Sequence, residues 1–357
     1  MRIGKVSENV LIRSVLRKIK TKRKEVSCGA GIGIDCAVLS FDKNMETVIS
    51  TNPVSAPIDM VSCYGIHRAL NNVAAAAAEP VGIMISALLP ETAEEKELKD
   101  MMQQAQDLAD QFNVQIIGGH TEIMPDIKAP ILTVTGIGKR VKGKSPIDET
   151  DTCVTNTEQD AITANRINAK QDVVINRKIR SGQDVIISKW IGLEGTVRLA
   201  KEHKEELITR YPIGMIDEAA EFERFLSVVP EAATAVKSGV CGMHDVSSGG
   251  IFAALWEMAD GAGVGLEIDL KKLPIRQETI EICEFYDLNP YELLSGGCLL
   301  MTAESGTDLI RELEKEGISA VIVGKTTAGN DRVILNEDEK RFLEPPKPDQ
   351  MYQICDK

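Results

Sequence analysis

Residues 241–269, CGMHDVSSGGIFAALWEMADGAGVGLEID, decide the reading of the fold. Val240–Met243 is a short apolar run of strand length, and a Ser-Ser-Gly-Gly turn follows it. Ile251, Phe252, Leu255, Met258 and Ala259 then recur at helical spacing over Ser248–Ala259, and Val264–Ile268 reads as the next strand. Strand, glycine turn, amphipathic helix and strand together form the repeating unit of an α/β domain. Working outward, the alternation continues on both sides. Strand Val185–Ser188, a helix from Glu194 and helices around 215–236 precede the segment. A helix near 276–285, strand Cys298–Thr302, helix 307–316 and strand Ala320–Gly324 follow it.

A separate first half repeats the pattern between residues 26 and 138. Ala37–Phe41 and Thr47–Thr51 read as strands, then a helix ends in the run Ala74–Ala78, and Val81–Leu88 is the next strand. The helix after Pro90 places Leu98, Met101, Met102, Ala105, Leu108, Ala109 and Phe112 on one face, so these methionines belong to a core. Val114–Ile117 and Ile131–Ile137 complete this half. Residues 6–19 form a short amphipathic helix, and the basic run Lys20–Lys24 after it reads either as a solvated helix end or as a lid over an anionic ligand. Over 142–172 no apolar face can be drawn. The expected organisation is therefore a first domain at 1–141, a linker or surface insertion at 142–172, a second α/β domain at 173–345 and a tail at 346–357.

The 357 residues are enough for two domains, and 43% hydrophobic with 27% charged residues is a globular composition. With 41 basic and 54 acidic residues the net charge is −13, which repels phosphate backbones and argues against nucleic acid as a partner. Charges interrupt every apolar run before the roughly 18 residues a bilayer crossing needs, so no membrane association and a cytoplasmic location are expected. The eight cysteines show no Cys-x-x-Cys spacing, and neither a structural zinc site nor a disulfide framework is indicated.

Four glycine-bearing segments stand where strands hand over to helices or loops: Gly29–Asp35, Gly118–Glu122, Gly192–Thr196 and His244–Gly250. Glycine lets backbone N–H groups approach an anion, and a helix N-terminus adds partial positive charge. Each segment alone also reads as an ordinary turn or cap. None matches the phosphate-loop or dinucleotide fingerprints.

Taken in order, these segments resemble the aminoimidazole ribonucleotide (AIR) synthetase superfamily, whose fold is called PurM-like. GIGIDCAVLSF resembles the family's G-x-D-D-A-A-V, STNPVSAP its S-T-D-P, and LNNVAAAAAEP its N-D-I-A helix. IIGGHTEIMP resembles the G-G-D-T or G-G-H-T-E segment, and CGMHDVSSGG the H-D-x-T-x-G-G segment. GGHTE, SKWIGLEGTVRLA and PPKPDQMY are most similar to the HypE-like, synthetase-related branch. The resemblance covers about residues 1–141 and 173–353. It implies an N-terminal domain that pairs with a second copy to form a dimeric β-barrel, a C-terminal α/β domain, and binding of ATP with magnesium held by acidic residues. It also implies ATP-dependent activation of an amide or thioamide oxygen on a small-molecule or carbamoylated substrate, as in hydrogenase maturation.

Carried over residue by residue, the resemblance places Asp35, Asn52, Asn72, Gly118, Gly119, His120, Thr121 and Glu122 around the nucleotide, with Asp35 and Glu122 as metal ligands. His244, Asp245, Ser247, Gly249 and Gly250 would hold the second substrate's anion. Ile34 stands where the family has its first aspartate, and Asn52 and Asn72 replace two more. An amide oxygen brings no charge, so the implied magnesium site is weakened. The alternatives are a non-catalytic nucleotide-binding protein with a decayed metal site, or a small-molecule kinase like thiamine-monophosphate kinase. HypE-like chains end in a Pro-Arg-Ile-Cys tail that carries a carbamoyl group, whereas Asp356 and Lys357 follow Cys355 here. Cys355 therefore reads as a flexible cysteine on an exposed tail.

Overall fold

The computed structural model describes residues 4–31, 36–141 and 179–355. Asp35 and the 142–172 insertion lie outside the described residues. The chain divides into two units, Met1–Val141 and Lys142–Lys357.

The first unit contains β1 (Gly4–Lys5), α1 (Glu8–Val10, continued by a π turn Leu11–Val15 and a 3-10 turn Leu16–Lys18), β2 (Val26–Cys28), β3 (Val38–Leu39), β4 (Met45–Ser55), α2 (Val61–Ala75), β5 (Glu79–Pro90), α3 (Glu95–Gln111), β6 (Gln115–Met124) and β7 (Ile131–Val141). Five strands form a sheet in the order β1-β6-β5-β7-β4. Only the β5/β6 pair is parallel. Along β4, Ser50, Asn52 and Val54 turn inward while Thr47, Ile49, Thr51 and Pro53 are exposed, as the period of two requires. The inward face carries Ile83, Ile85, Leu89, Ile116, Ile123, Leu132 and Val134, all buried. Helices α2 and α3 cover that face, and α3 starts in a reciprocal cap between Glu94 and Glu97.

The N-terminal helix is pinned to α3, and Lys20, Lys22 and Lys24 of the basic run after it are exposed. Arg13 pairs with Glu95, Ser14 Oγ donates to Glu95 at 2.8 Å, and Lys18 Nζ donates to Gln103 at 2.9 Å. Buried Gln106 accepts from the Lys20 N–H at 3.0 Å. In the basic run, Arg23 is drawn into a buried network, donating to Glu25 at 3.1 Å and to Glu79 at 2.7 Å, while Lys139 pairs with the other oxygen of Glu25. These cations hold the Glu25 carboxyl down at about 2, the Arg23 hydrogen bond being the largest cause.

The second unit contains β8 (Asp184–Ser188), α4 (Leu193–Glu202), α5 (Lys204–Leu207), α6 (Ile213–Glu221), α7 (Val229–Lys237), β9 (Gly242–Val246), α8 (Gly250–Ala262), β10 (Gly265–Asp269), α9 (Gln277–Tyr286), β11 (Cys298–Ala303), α10 (Gly306–Lys315), β12 (Ala320–Thr327), β13 (Arg332–Asn336), β14 (Glu339–Phe342) and α11 (Tyr352–Cys355). Seven strands run in the order β14-β13-β10-β12-β8-β11-β9. The expected apolar stripe of α8 is present: Ile251, Leu255, Met258 and Ala259 pack on Val185, Ile187, Leu266, Ile268 and Leu300. A second cluster joins α4, α6 and α9 through Leu199, Ile216, Ala219, Ile282 and Leu293.

Four points of the sequence reading need correction. Gly118–Glu122 is not a turn after a strand but the middle of β6, and β9 begins two residues later than the apolar run, so His244 and Asp245 are strand residues. The β13–β14 hairpin was not anticipated, because β14 is exposed along its whole length and carries no apolar alternation. The segment after Phe342 is docked on the second unit up to the last helix, with Asp349 buried and Met351 and Ile354 packed on the α4–α6–α9 cluster.

Candidate functional site

In the first unit, Gly119 shows why this sequence stretch must be glycine. Its φ is +153°, and a β-carbon there would lie 1.9 Å from the carbonyl oxygen of Ile85 on the parallel neighbour β5. The β5/β6 register shifts at Ile83/Met84, immediately before this contact, so the close approach accompanies a bulge. The bulge sets the facing of the residues after it. Thr121 turns inward and is buried, while His120 and Glu122 turn to the open face. There His120 Nε2 lies 3.1 Å from Glu122 Oε2, both side chains partly exposed.

A cavity of about 80 Å³ adjoins this strand. It is walled by Leu11, Val15, Leu16 and Ile19 from the N-terminal helix, by Ala30 and Gly31, by Ile85, Met102 and Ile116, and by Gly118–Thr121. The fold thus brings two of the four glycine-bearing segments to one place. At this size the cavity admits one end of a ligand, since pockets for whole small molecules run from about 300 Å³.

Asn52 and Asn72 are elsewhere. Both side-chain amides donate to one hydroxyl, Ser50 Oγ, at 3.3 and 3.1 Å. Asn52 pairs in register with Val134 on the helix-covered face, whereas His120 shares its face with Ser86 and Thr133. Three strand spacings, roughly 14 Å, separate β4 from β6. Within the unit, then, the asparagines and the His120–Glu122 pair occupy opposite faces and opposite sides of the sheet. Sequence reasoning missed Ser50, whose signal was available in Ser-Thr-Asn: alternate strand residues share a face.

Magnesium does not fit these side chains. Among the described residues no three His, Cys, Asp or Glu side chains converge as a metal set. The two amides donate to Ser50, and Glu122 pairs with His120.

In the second unit, the strand separates His244 from Asp245, because neighbouring strand residues face opposite ways. His244 Nε2 lies 3.2 Å from Glu257 of α8, while Asp245 is buried on the other face. Ser247, Gly249 and Gly250 form the turn into α8. Gly249 and Gly250 have φ of +81° and +67°, and a β-carbon on Gly250 would meet the Tyr291 carbonyl oxygen at 2.5 Å. Three N–H groups at this turn and the start of α8 are engaged within the chain. The Gly249 N–H donates to Asp349 Oδ2 at 2.7 Å, the Gly250 N–H to Ser247 O at 3.2 Å, and the Phe252 N–H to Tyr291 O at 3.2 Å. Asp349 was not among the expected site residues; its burial depends on a segment that reads as a tail.

Comparison with known proteins adds to this geometry. Residues 33–140 match the N-terminal domain, and residues 180–336 the C-terminal domain, of AIR synthase related proteins. A Methanocaldococcus jannaschii protein named for hydrogenase expression and formation is 23% identical over 366 residues, covering 99% of this chain and 97% of its own. The carbamoyl dehydratase HypE of Rhizobium leguminosarum is 23% identical over 313 residues, covering 85% of this chain and 79% of its own. The structure of the hydrogenase maturation protein HypE in complex with ATP superimposes with a TM-score of 0.75 over 99% of this chain and 97% of that one, at 16% identity. No helix among the described residues is long and apolar enough to cross a membrane. With both domains matched in order over most of its length, the chain belongs to the AIR synthase related protein family.

Proposed function

We propose that this protein binds ATP and uses it to activate an amide or thioamide oxygen, in the manner of HypE-type hydrogenase maturation. The observation that carries this reading is full-length similarity to a hydrogenase formation protein, joined to the fold of an ATP-bound HypE. In such a reaction the γ-phosphoryl group passes to the amide oxygen and ADP leaves. The oxygen then departs as phosphate, and a primary amide that also gives up its two N–H protons becomes a C≡N group.

The chain's own groups suit the phosphate end of such a ligand. Gly118 and Gly119 bring backbone to the wall of the cavity, and His120 stands beside it on the open face, where an imidazole N–H can donate to phosphate oxygen. Asp35 belongs to the Gly29–Asp35 segment, whose Gly31 lines this cavity, and is proposed as a carboxylate of the nucleotide site. No step is assigned to magnesium, because Asn52 and Asn72 are turned to Ser50. The Ser247–Gly250 turn is proposed to face the second substrate's anion.

The open face of the first sheet, with Ile49 64% and Met84 37% exposed, is proposed to be covered by a second copy of the chain. Light scattering of the purified protein is expected to give twice the 38.9 kDa chain mass. Calorimetric titration of the full chain with ATP, with and without magnesium, tests the central reading. Saturable binding at one site per chain, little altered by magnesium, is expected. Absence of binding at millimolar ATP in both conditions would refute it.

A further inference from the structure

The segment from Leu343 to Cys355 crosses the second unit as a strap. Leu343 packs on the α8 core, and Met351 and Ile354 pack on the α4–α6–α9 cluster. Between these anchors the Gln350 side chain accepts from the Asn289 N–H at 3.2 Å and donates to Glu292 at 3.1 Å. At the centre sits the Asp349 carboxylate, 5% exposed. It accepts from the Gly249 N–H at 2.7 Å, the Met351 N–H at 2.9 Å and the Leu294 N–H at 3.3 Å.

An ordinary helix cap comes from the residue preceding the helix. This one comes from 100 residues downstream and is a carboxylate that accepts from the Gly249 N–H at the start of a 13-residue helix. Burial pushes the Asp349 carboxyl up, the three N–H donors oppose that, and the Glu194 carboxylate adds repulsion.

Beside this contact lies a cavity of about 340 Å³ whose inner wall is Gly249, Phe252 and Ala253 and whose outer wall is Arg341–Lys347 of the hairpin and strap. The Arg341 guanidinium lies 5.5 Å from the Phe252 ring centroid, and Lys347 pairs with Glu344, so two cations flank the way in. The size is within the range of small-molecule pockets.

We propose that the strap is an autoinhibitory latch in which Asp349 occupies, as an internal anion, the Gly249 N–H at the α8 N-terminus and the neighbouring Leu294 N–H, the donors that an external phosphate or carboxylate would take. This rests on the reading that the Ser247–Gly250 turn faces a substrate anion. To bind, such an anion displaces Asp349, and the strap lifts from Glu344 to Gln350 while its apolar ends, Leu343 and Met351–Ile354, stay anchored.

The test uses the full chain, inorganic phosphate as the probe, calorimetry for affinity, and hydrogen exchange read on peptides covering 247–253 and 344–352. In the wild-type protein phosphate is expected to bind weakly, to protect the turn and to speed exchange of the strap. Asp349→Asn removes the competing charge and is expected to bind phosphate at least tenfold more tightly, with the strap already exchanging fast. Equal affinity and equal turn protection in both proteins would overturn the latch while leaving the turn an anion site. No protection of the turn in either protein would remove both ideas. If Asp349→Asn does not fold, the double variant Met351→Ala, Ile354→Ala loosens the strap without touching the carboxylate. It is expected to show the same tightening, and unchanged phosphate affinity there would overturn the proposal.

Discussion

The glycine pairs Gly118-Gly119 and Gly249-Gly250 look alike in sequence, and the structure gives them opposite conditions. Around Gly119 the backbone is squeezed against β5, and the strand then presents His120 and Glu122 outward beside a small cavity. At Gly249 the backbone N–H is already taken, by Asp349. A glycine pair therefore reports only that backbone comes close to something. Whether that something is a neighbouring strand, a distant carboxylate or a ligand depends on parts of the chain the motif does not contain.

The harshest way to test the first of these conditions is Gly119→Ala. With a β-carbon placed 1.9 Å from a carbonyl oxygen, β5 and β6 have to separate, and the first unit is expected to lose at least about 3 kcal/mol in urea unfolding. ATP affinity is expected to fall with it. A loss under about 1 kcal/mol would show that the bulge absorbs a side chain and that close strand approach is not what fixes this glycine.

The two regions also differ in how their acids are held. Glu25 is held down at about 2 by Arg23 and Lys139, while burial pushes Asp349 up. Because the folded-state value of Glu25 lies below the ordinary 4.5, its stabilising contribution is complete above that pH and disappears as pH falls towards 2. For Asp349 the sign reverses: stability falls as pH rises from the ordinary 3.8 through its raised value. Glu25→Gln is accordingly expected to cost about 2–3 kcal/mol at pH 7, with the difference from wild type closing near pH 2. A cost that persists unchanged at pH 2 would assign the effect to packing instead of charge.

How much of this was legible in the sequence follows from the range of the interactions. The stripe of α8 and the face of α3 were readable because periodicity is local, and the order of the motifs carried the family. The facing of His120 was not, since it depends on a bulge against β5 that makes Gly118–Glu122 strand and not turn. The separation of His244 from Asp245 was missed for a similar reason: the apolar run ended early and strand pairing with β11 continued. Asp349 acts through a contact 100 residues away and Ser50 meets Asn72 across 22, which no spacing rule reaches, although the Ser50–Asn52 alternation was legible.

His120→Ala probes whether the open side of the first region touches the nucleotide. The His120–Glu122 pair is partly exposed, so stability is expected to change by less than about 0.5 kcal/mol. ATP binding is expected to weaken about tenfold, which is about 1.4 kcal/mol. Unchanged ATP affinity with an intact fold would detach the His120 side of the strand from the ligand and leave only the backbone at Gly118–Gly119.

The smallest expected effect lies at Ser50, where the proposed absence of a strong metal site can be put to the test. A hydroxyl has one proton to give and two lone pairs, so Ser50 Oγ can accept from both Asn52 and Asn72, as it does at 3.3 and 3.1 Å. Replacing one amide by a carboxylate lets the hydroxyl turn and donate to it while still accepting from the other, so Asn52→Asp alone is expected to cost under about 0.5 kcal/mol. The second replacement has no proton left to meet it and sets two like charges together. Asn52→Asp with Asn72→Asp is therefore expected to cost about 1 kcal/mol more than the sum of the single variants. Thermal unfolding with and without millimolar magnesium decides what the positions face. Recovery of the lost stability by magnesium, with tighter ATP binding, would mean that the two side chains can share a cation and that the asparagines mark a relinquished site. Loss that magnesium does not restore, with ATP affinity unchanged, would mean that they face only Ser50 and serve the packing of β4 against α2.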